Sequence, residues 1–272
     1  MASSEEAARL WPAVRTEAVF DTAEQFAAYR EKGPWRVRVN DRGDAAVLGV
    51  WREHLGVLAI RGMWCPVQQV SAFVADARAV ARDLRLARVL SPLLPLDLLG
   101  PYRREGMAVC QRIVAIQGHA RGVVPADPPL GITLRAGRAG DLPVLVELDT
   151  ASFDEFWRYG LTELEEYLDG ERLVVAETAD GQLIGYTLAT ESRGAATLGR
   201  LAVAPALRRA GVAKALVSDV AEWACEVGAE TLSLCTQEEN AAARALYRDA
   251  GFSEVRDMYG FAMRRVSEEG SQ

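Results

Sequence analysis

Histidine and cysteine are scarce in this chain: its 272 residues include only two His and four Cys. The cysteines, Cys65, Cys110, Cys225 and Cys235, lie far apart with no CxxC pair. That excludes a readable zinc framework and favours reduced thiols in an intracellular protein. Positive charge is not in excess either, since 31 Lys and Arg face 38 Asp and Glu for a net charge of −7. General nucleic-acid binding is disfavoured on that balance. No run approaches the ~20 apolar residues of a membrane span, and MASSEEAARLWPAV lacks an apolar core of signal-peptide length. A cytoplasmic protein without membrane or nucleic-acid partners is expected. What remains is an ordinary composition, half apolar and a quarter charged, long enough for two modest domains.

The C-terminal half parses readily. GITLRAG reads as a short strand, AGDLPVLVELDTASF as a helix with Asp141 near its start, and TELEEYL as a further helical piece. RLVVAETADGQLIGYTLATES is a hairpin turning at Asp180–Gly181, and AATLGRLAVAP a strand ended by Pro205. After Gly211, apolar residues at Val212, Leu216, Val220, Trp223 and Val227 give helical periodicity with one buried face. ETLSLCT reads as a buried strand. NAAARALYRDAGF is a helix from Asn240 closed by Gly251, with Leu246 turned inward, and MYGFAMRRV is a last strand.

The N-terminal half repeats this order. WRVRVNDRGDAAVLGVW matches the hairpin, Gly43 with Gly181 and Gly49 with Gly185. VLAIRGMWCP matches TLGRLAVAP, with Pro66 and Pro205 139 residues apart. VSAFVADARAVARDL is again an amphipathic helix and ARVLSPL again a buried strand. PYRREGMAV mirrors LYRDAGFSEV, so that Tyr102 and Gly106 precede Tyr247 and Gly251 by 145 residues. Landmarks in one order at a nearly constant offset predict an internal duplication. The copies differ after the proline, where ALRRAGVA stands against VQQVSA and the first copy is four residues shorter.

A glycine that opens a helix exposes backbone N–H groups without intrahelical partners, at the positive end of the helix dipole. Such a site favours phosphate oxygens. Gly211 allows close backbone approach, Ala213 leaves room, and Arg208 and Arg209 bring charge suited to a diphosphate. A plain helix start with two solvated arginines reads the same residues equally well. Asn240 likewise fits an N-cap, and Tyr247 an amphipathic core position.

Taken together, these residues resemble the GCN5-related N-acetyltransferase (GNAT) family. Its acyl-CoA loop, Q/R-x-x-G-x-G/A, is matched by Arg208, Gly211 and Ala213. Its pattern N-x-x-A-x-x-L-Y-x-x-x-G-F is matched by Asn240, Ala243, Leu246, Tyr247, Gly251 and Phe252. The resemblance covers about residues 131–266 and, more weakly, the first copy. It implies an α/β protein of two tandem GNAT-like domains, each a mixed, mostly antiparallel twisted sheet flanked by helices. The domains expected are a degenerate copy at 1–117 without the loop, a linker at 118–130, and a catalytic domain at 131–272. The implied cofactor is acetyl-CoA. Its pantetheine arm would lie on the backbone of Leu201, Ala202 and Val203, and its pyrophosphate on Arg208, Arg209, Ala210, Gly211, Val212 and Ala213, with Asn240 and Ala243 nearby.

The implied reaction moves an acetyl group to a primary amine of a small molecule or peptide, with Tyr247 protonating the departing thiolate. The base stays open: Cys235 stands where some family members have a glutamate, and Glu177, Glu191, Glu238 or a water relay are alternatives. In SFDEFWRYG, four aromatics, Phe153, Phe156, Trp157 and Tyr159, fit an acceptor pocket wall or, equally, a core cluster. A non-catalytic acyl-CoA-binding regulator is the competing reading, supported by the missing base.

Overall fold

The computed structural model describes residues 20, 22–168 and 172–266. In the N-terminal half, helix α1 (Ala23–Glu31) leads into strands β1 (Val37–Val39), β2 (Ala45–Trp51) and β3 (Val57–Trp64). Helix α2 (Val70–Asp83), strands β4 (Arg88–Leu90) and β5 (Leu94–Pro95), helix α3 (Gly100–Arg104) and strand β6 (Ala108–His119) follow. The C-terminal half begins with β7 (Ile132–Ala136), α4 (Leu142–Ser152) and α5 (Leu161–Leu168). It continues through β8 (Arg172–Thr178), β9 (Leu183–Ser192), β10 (Ala195–Val203) and α6 (Val212–Glu226). Strand β11 (Thr231–Gln237), helix α7 (Ala241–Asp249) and strand β12 (Ser253–Arg265) complete it.

The duplication holds at the level of pairing. In the first copy β1–β2 and β2–β3 are antiparallel and β3–β4 parallel; in the second the same holds for β8–β9, β9–β10 and β10–β11. Each copy turns its hairpin on a left-handed glycine, Gly43 at φ 84° and Gly181 at φ 85°. Each carries a register shift in its third strand, between Ile60 and Gly62 and between Leu198 and Arg200. Gly49 and Gly185 are not equivalent, however. Gly49 stands opposite Ala59, seven residues before Pro66, and Gly185 opposite Val203, two before Pro205. A Cβ at 185 would lie 3.0 Å from the Ala202 carbonyl, whereas one at 49 would strike the Tyr29 hydroxyl and the Arg61 side chain. The two glycines answer different crowding.

The compact units do not follow the chain linearly. One comprises residues 1–112 with 259–272, the other 113–258. The cause lies in the last strand of each half. Residues Ile113–His119 of β6 pair antiparallel with β11, and Met263–Arg265 of β12 pair antiparallel with β4. The expected boundaries at 117 and 131 therefore do not coincide with the units, and Gly118 and His119 continue a strand.

In the 113–258 unit, α6 and α7 pack on one face of the sheet. Val217, Val220, Ala221, Ala224, Tyr247, Phe252, Leu232 and Leu234 form the main buried cluster there. The opposite face carries α4 and α5 through Leu142, Leu145, Leu148 and Leu164, set against Leu173, Val175, Tyr186 and Leu188. The burial of these side chains is the principal stabilising term, at roughly 25 cal/mol per Å² of apolar surface removed from water. On α6 the inward face runs through Val212, Ala215, Leu216, Val220 and Ala224. Val227, expected on that face, lies beyond the last helical residue and is exposed. On α7 the fully packed residue is Tyr247 rather than Leu246, which is only partly buried.

Candidate functional site

Strands β10 and β11 pair only from Ala195 to Leu198 and from Thr231 to Leu234, and then part. Beyond the fork, Leu201, Ala202 and Val203 stay paired with Thr187, Tyr186 and Gly185 of β9. Their other edge faces no strand among the described residues, so its peptide groups are available to an extended ligand. Pro205 ends the strand in a single 3₁₀ turn, Pro205–Leu207.

Four residues separate that turn from α6, and two of them are left-handed. Arg209 has φ 65° and Gly211, the N-cap, φ 90°. No side chain caps the helix, and its first hydrogen bond runs from the Ala215 amide to the Gly211 carbonyl at 3.1 Å. The amides of Val212, Ala213 and Lys214 precede that ladder. Arg208, Arg209 and Ala210 are exposed and Ala213 is half-buried, while the Val212 side chain anchors the turn in the core. Arg208 reaches the Ser152 carbonyl with Nη2 at 3.5 Å, and Arg209 has no partner among the described residues. The first copy lacks these four residues. Its 3₁₀ turn, Val67–Gln69, runs directly into α2 at Val70, with the N-cap Gln69 in right-handed conformation. Of these two helix starts, the one at 208–213 is the one with left-handed residues before uncapped amides.

Across the fork, Asn240 caps α7: its Oδ1 accepts from the Ala243 amide at 3.1 Å. Of the two roles open to Asn240, the cap is the one observed. The alanine-rich helix that follows has high intrinsic propensity. It ends at Gly251, φ 98°, where a Cβ would lie 2.7 Å from the Gly122 carbonyl. The Tyr247 ring packs edge-on against Phe252, with centroids 6.1 Å apart, and is 6% exposed. Its hydroxyl makes no hydrogen bond among the described residues. Burial, with the Cys235 thiol adding to it, holds the phenol well above its ordinary pKa, so it stays protonated at neutral pH.

Of the four aromatics at 153–159, two serve a buried ion pair that the sequence reading missed. Asp149 is fully buried and Arg200 6% exposed. Arg200 donates from Nε and Nη2 to Asp149 at 2.8 and 2.7 Å, and from Nη2 to the Trp157 carbonyl at 2.9 Å. Asp149 also accepts from the Tyr186 hydroxyl at 2.5 Å and the Tyr159 amide at 2.8 Å. The guanidinium lies over the Phe153 ring at 3.4 Å and the Tyr159 ring at 4.1 Å. Phe153 and the buried Tyr159 are thus engaged by Arg200, whereas Phe156 and Trp157 are half-buried and packed on each other at 4.9 Å. The one signal in the sequence was an arginine inside the otherwise apolar run LGRLAVAP.

The candidate bases are mostly occupied. Glu177 accepts from Arg135, and Glu191 accepts from the Gly194 amide at 2.7 Å in the β9–β10 turn. Both lie at hairpin ends. Cys235 is exposed on β11. A cavity of about 370 Å³ in this unit is lined by Ile116, Arg244, Arg248, Phe252, Ser253 and Glu254, and by none of the predicted site residues. Among the described residues no group of three His, Cys, Asp or Glu is placed to hold a metal, and no helix is long and apolar enough to cross a membrane.

Residues 142–252, from the start of α4 to the end of the YRDAGF motif, match the acetyltransferase (GNAT) family. This segment is similar to a GNAT domain. The matched segment includes the forked strands and the 208–213 turn. No curated protein matches the chain significantly. Among solved structures it is similar to a GCN5-related N-acetyltransferase from Sphaerobacter thermophilus, at 20% identity and TM-score 0.68 over 97% of this chain and 93% of that one. It is also similar to a tandem GNAT protein from the clavulanic acid biosynthesis pathway, at 17% identity and TM-score 0.68 over 99% and 95%. A GCN5-related N-acetyltransferase from Kribbella flavida aligns at 13% identity and TM-score 0.62 over 96% and 95%. At these identities the likeness shows a shared fold, the tandem GNAT arrangement.

Proposed function

We propose that the chain is an acetyl-CoA-dependent N-acetyltransferase acting on a primary amine of a small molecule or peptide. The observation that carries this reading is the turn at Arg208–Gly211. Two left-handed residues there open α6 with uncapped amides beside two arginines, and the duplicated copy has no counterpart. In this reading the edge of Leu201–Val203 holds the pantetheine arm and the amides of Arg209–Ala213 the diphosphate. Asn240 and Ala243 shape the opposite wall.

Acetyl-CoA supplies an activated thioester. The amine nitrogen forms a bond to the acetyl carbon and the carbon–sulfur bond breaks. Tyr247, protonated at neutral pH and with its hydroxyl uncommitted, gives its proton to the leaving sulfur. Glu177 and Glu191 are committed elsewhere, so in this reading the attacking amine loses its proton to solvent or to a water relay, with Glu238 the remaining carboxylate candidate. The acceptor side is assigned to the turn at 153–159, with Phe156 and Trp157 as wall and Phe153 and Tyr159 holding it in place through Arg200. Neither nucleic acid nor membrane is part of this proposal, and the four free cysteines favour a cytoplasmic setting.

The test is Gly211→Glu. A non-glycine residue in left-handed conformation costs roughly 1–2 kcal/mol, which leaves the fold standing, while the carboxylate occupies the diphosphate position. Calorimetry should show acetyl-CoA binding lost; unchanged affinity would remove the site. The occupied carboxylates favour a second reading, a non-catalytic acyl-CoA-binding regulator. Acetyl-CoA binding without CoA release for any amine in a broad panel would select it.

A further inference from the structure

Each copy places an arginine five residues before its strand-ending proline, Arg61 and Arg200. Arg200 lies opposite Leu188 and is buried, whereas Arg61 is the residue that the β2–β3 register skips and is exposed. In the second copy helix α4 supplies Asp149, and the guanidinium is neutralised inside the fold. In the first copy the helix on the same side is α1, and it presents Tyr29, whose hydroxyl donates to the Leu48 carbonyl at 2.6 Å. Arg61 is left with one hydrogen bond, from Nη2 to the Val50 carbonyl at 3.3 Å. No carboxylate pairs with it among the described residues. Glycine at 49 makes room for this arrangement, since a Cβ there would come 2.6 Å from Arg61 Nε.

Arg61 lines a cavity of about 230 Å³, where β3 and β4 part after Ala59 and Leu90. The other walls are Trp51, Ala59, Ile60, Leu93 and Phe261, with Ser91 the one further polar residue of the lining. Trp51 and Phe261 meet at 5.2 Å between centroids, and the Arg52 guanidinium lies over the Trp51 ring at 4.6 Å. The Phe261 side is fixed by Ser91, whose Oγ accepts from the Ala262 amide at 2.8 Å and whose own amide donates to the Ala262 carbonyl at 2.7 Å. The unit carries 18 Lys and Arg against 15 Asp and Glu, although the whole chain has a net charge of −7.

We infer that this cavity in the first copy is a binding site for a small carboxylate with an aromatic or branched apolar body. The ligand's carboxylate pairs with the exposed Arg61 guanidinium at the cavity mouth. Its body lies among Trp51, Ile60, Leu93 and Phe261. The volume admits about eight water-sized groups, on the basis that a water takes ≈ 30 Å³. Neither the volume nor the turn at Val67–Gln69 suits an acyl-CoA. The inference does not depend on the acetyl-transfer reading.

The experiment is calorimetric titration of the full chain with phenylacetate, phenylacetamide and 2-phenylethylamine. Phenylacetate should bind once per chain with a dissociation constant below about 1 mM. The uncharged amide and the amine should bind at least about tenfold more weakly, as expected for loss of a charge-assisted bidentate pair. Arg61→Gln should lower phenylacetate affinity at least about tenfold, Arg61→Lys by less, and Trp51→Ala should weaken all three probes. Far-ultraviolet circular dichroism and the thermal midpoint should be unchanged in the Arg61 variants, which reports that they are folded. No phenylacetate binding by about 10 mM, equal binding of acid and amide, or full affinity in both Arg61 variants would overturn the assignment.

Discussion

Asp149→Ala should be among the most damaging single substitutions in this chain. The carboxylate accepts four hydrogen bonds, two from Arg200 and one each from the Tyr186 hydroxyl and the Tyr159 amide. Removing it leaves a guanidinium that is 6% exposed without its counter-charge. Two aromatic faces still lie on that charge, but attraction to a ring is worth about 2 kcal/mol for a desolvated cation and replaces no counter-charge. Breaking a buried pair by removing one partner typically costs about 3–5 kcal/mol. For a unit of this size a change of 1 kcal/mol moves the melting temperature by about 2–4 °C, so a fall of roughly 6–20 °C is expected. The assay is thermal and urea denaturation of wild type, Asp149→Ala and the double variant Asp149→Leu, Arg200→Met. The double variant should recover much of the loss, because an apolar pair of similar volume needs no desolvation of charge. A cost below about 1 kcal/mol for Asp149→Ala would refute the reasoning, since the ion pair would then be solvated.

Two further predictions follow from the same unit. Tyr247→Phe keeps the packing on Phe252 and removes only the hydroxyl, so acetyl-CoA affinity should hold while turnover falls by a factor of ~10² to 10⁴. Turnover within about twofold of wild type, when chemistry limits the rate, would exclude Tyr247 as the acid. Asp141 is held below its ordinary carboxylate pKa, chiefly by Arg135, which donates to it at 2.8 and 3.0 Å, and also by the Arg138 amide. A lowered pKa in the fold means stability present above about pH 4 and lost as pH falls through the folded value. In Asp141→Asn, the difference in urea midpoint from wild type should be full at pH 6 and shrink below pH 4; a constant difference would rule out this linkage.

Much of the local structure was legible because it rests on short-range rules. The glycine turns at 43 and 181, the prolines that end β3 and β10, and the Asn240 cap each declare themselves within a few residues. The four-residue difference between the copies marked the left-handed turn before α6 for the same reason: backbone conformation at Arg209 and Gly211 is a local property. What escaped the sequence reading is long-range. Arg200 and Asp149 are 51 residues apart, and neither periodicity nor spacing marks a buried ion pair. The pairing of β6 with β11 and of β12 with β4 is equally silent, since a strand's pattern shows which face is buried and not which neighbour it has. Gly49 and Gly185 misled because glycine relieves crowding of any origin. On α7, Tyr247 rather than Leu246 faces inward because the helix phase is set by Phe252 and the α6 side chains across from it.

The exchange of last strands has a consequence for how the protein is made. Residues 1–112 leave the ribosome first, yet the strand that pairs with β4 lies at Met263–Arg265. All of residues 113–258 must be synthesised before that edge is covered. Until then β4 offers unpaired backbone and exposed apolar side chains, a surface on which another nascent copy could dock its own strand. Cutting the chain at residues 118–130 would not give two independent halves. Each fragment would hold a strand belonging to the other, and mixing the two fragments is the route by which both sheets could close.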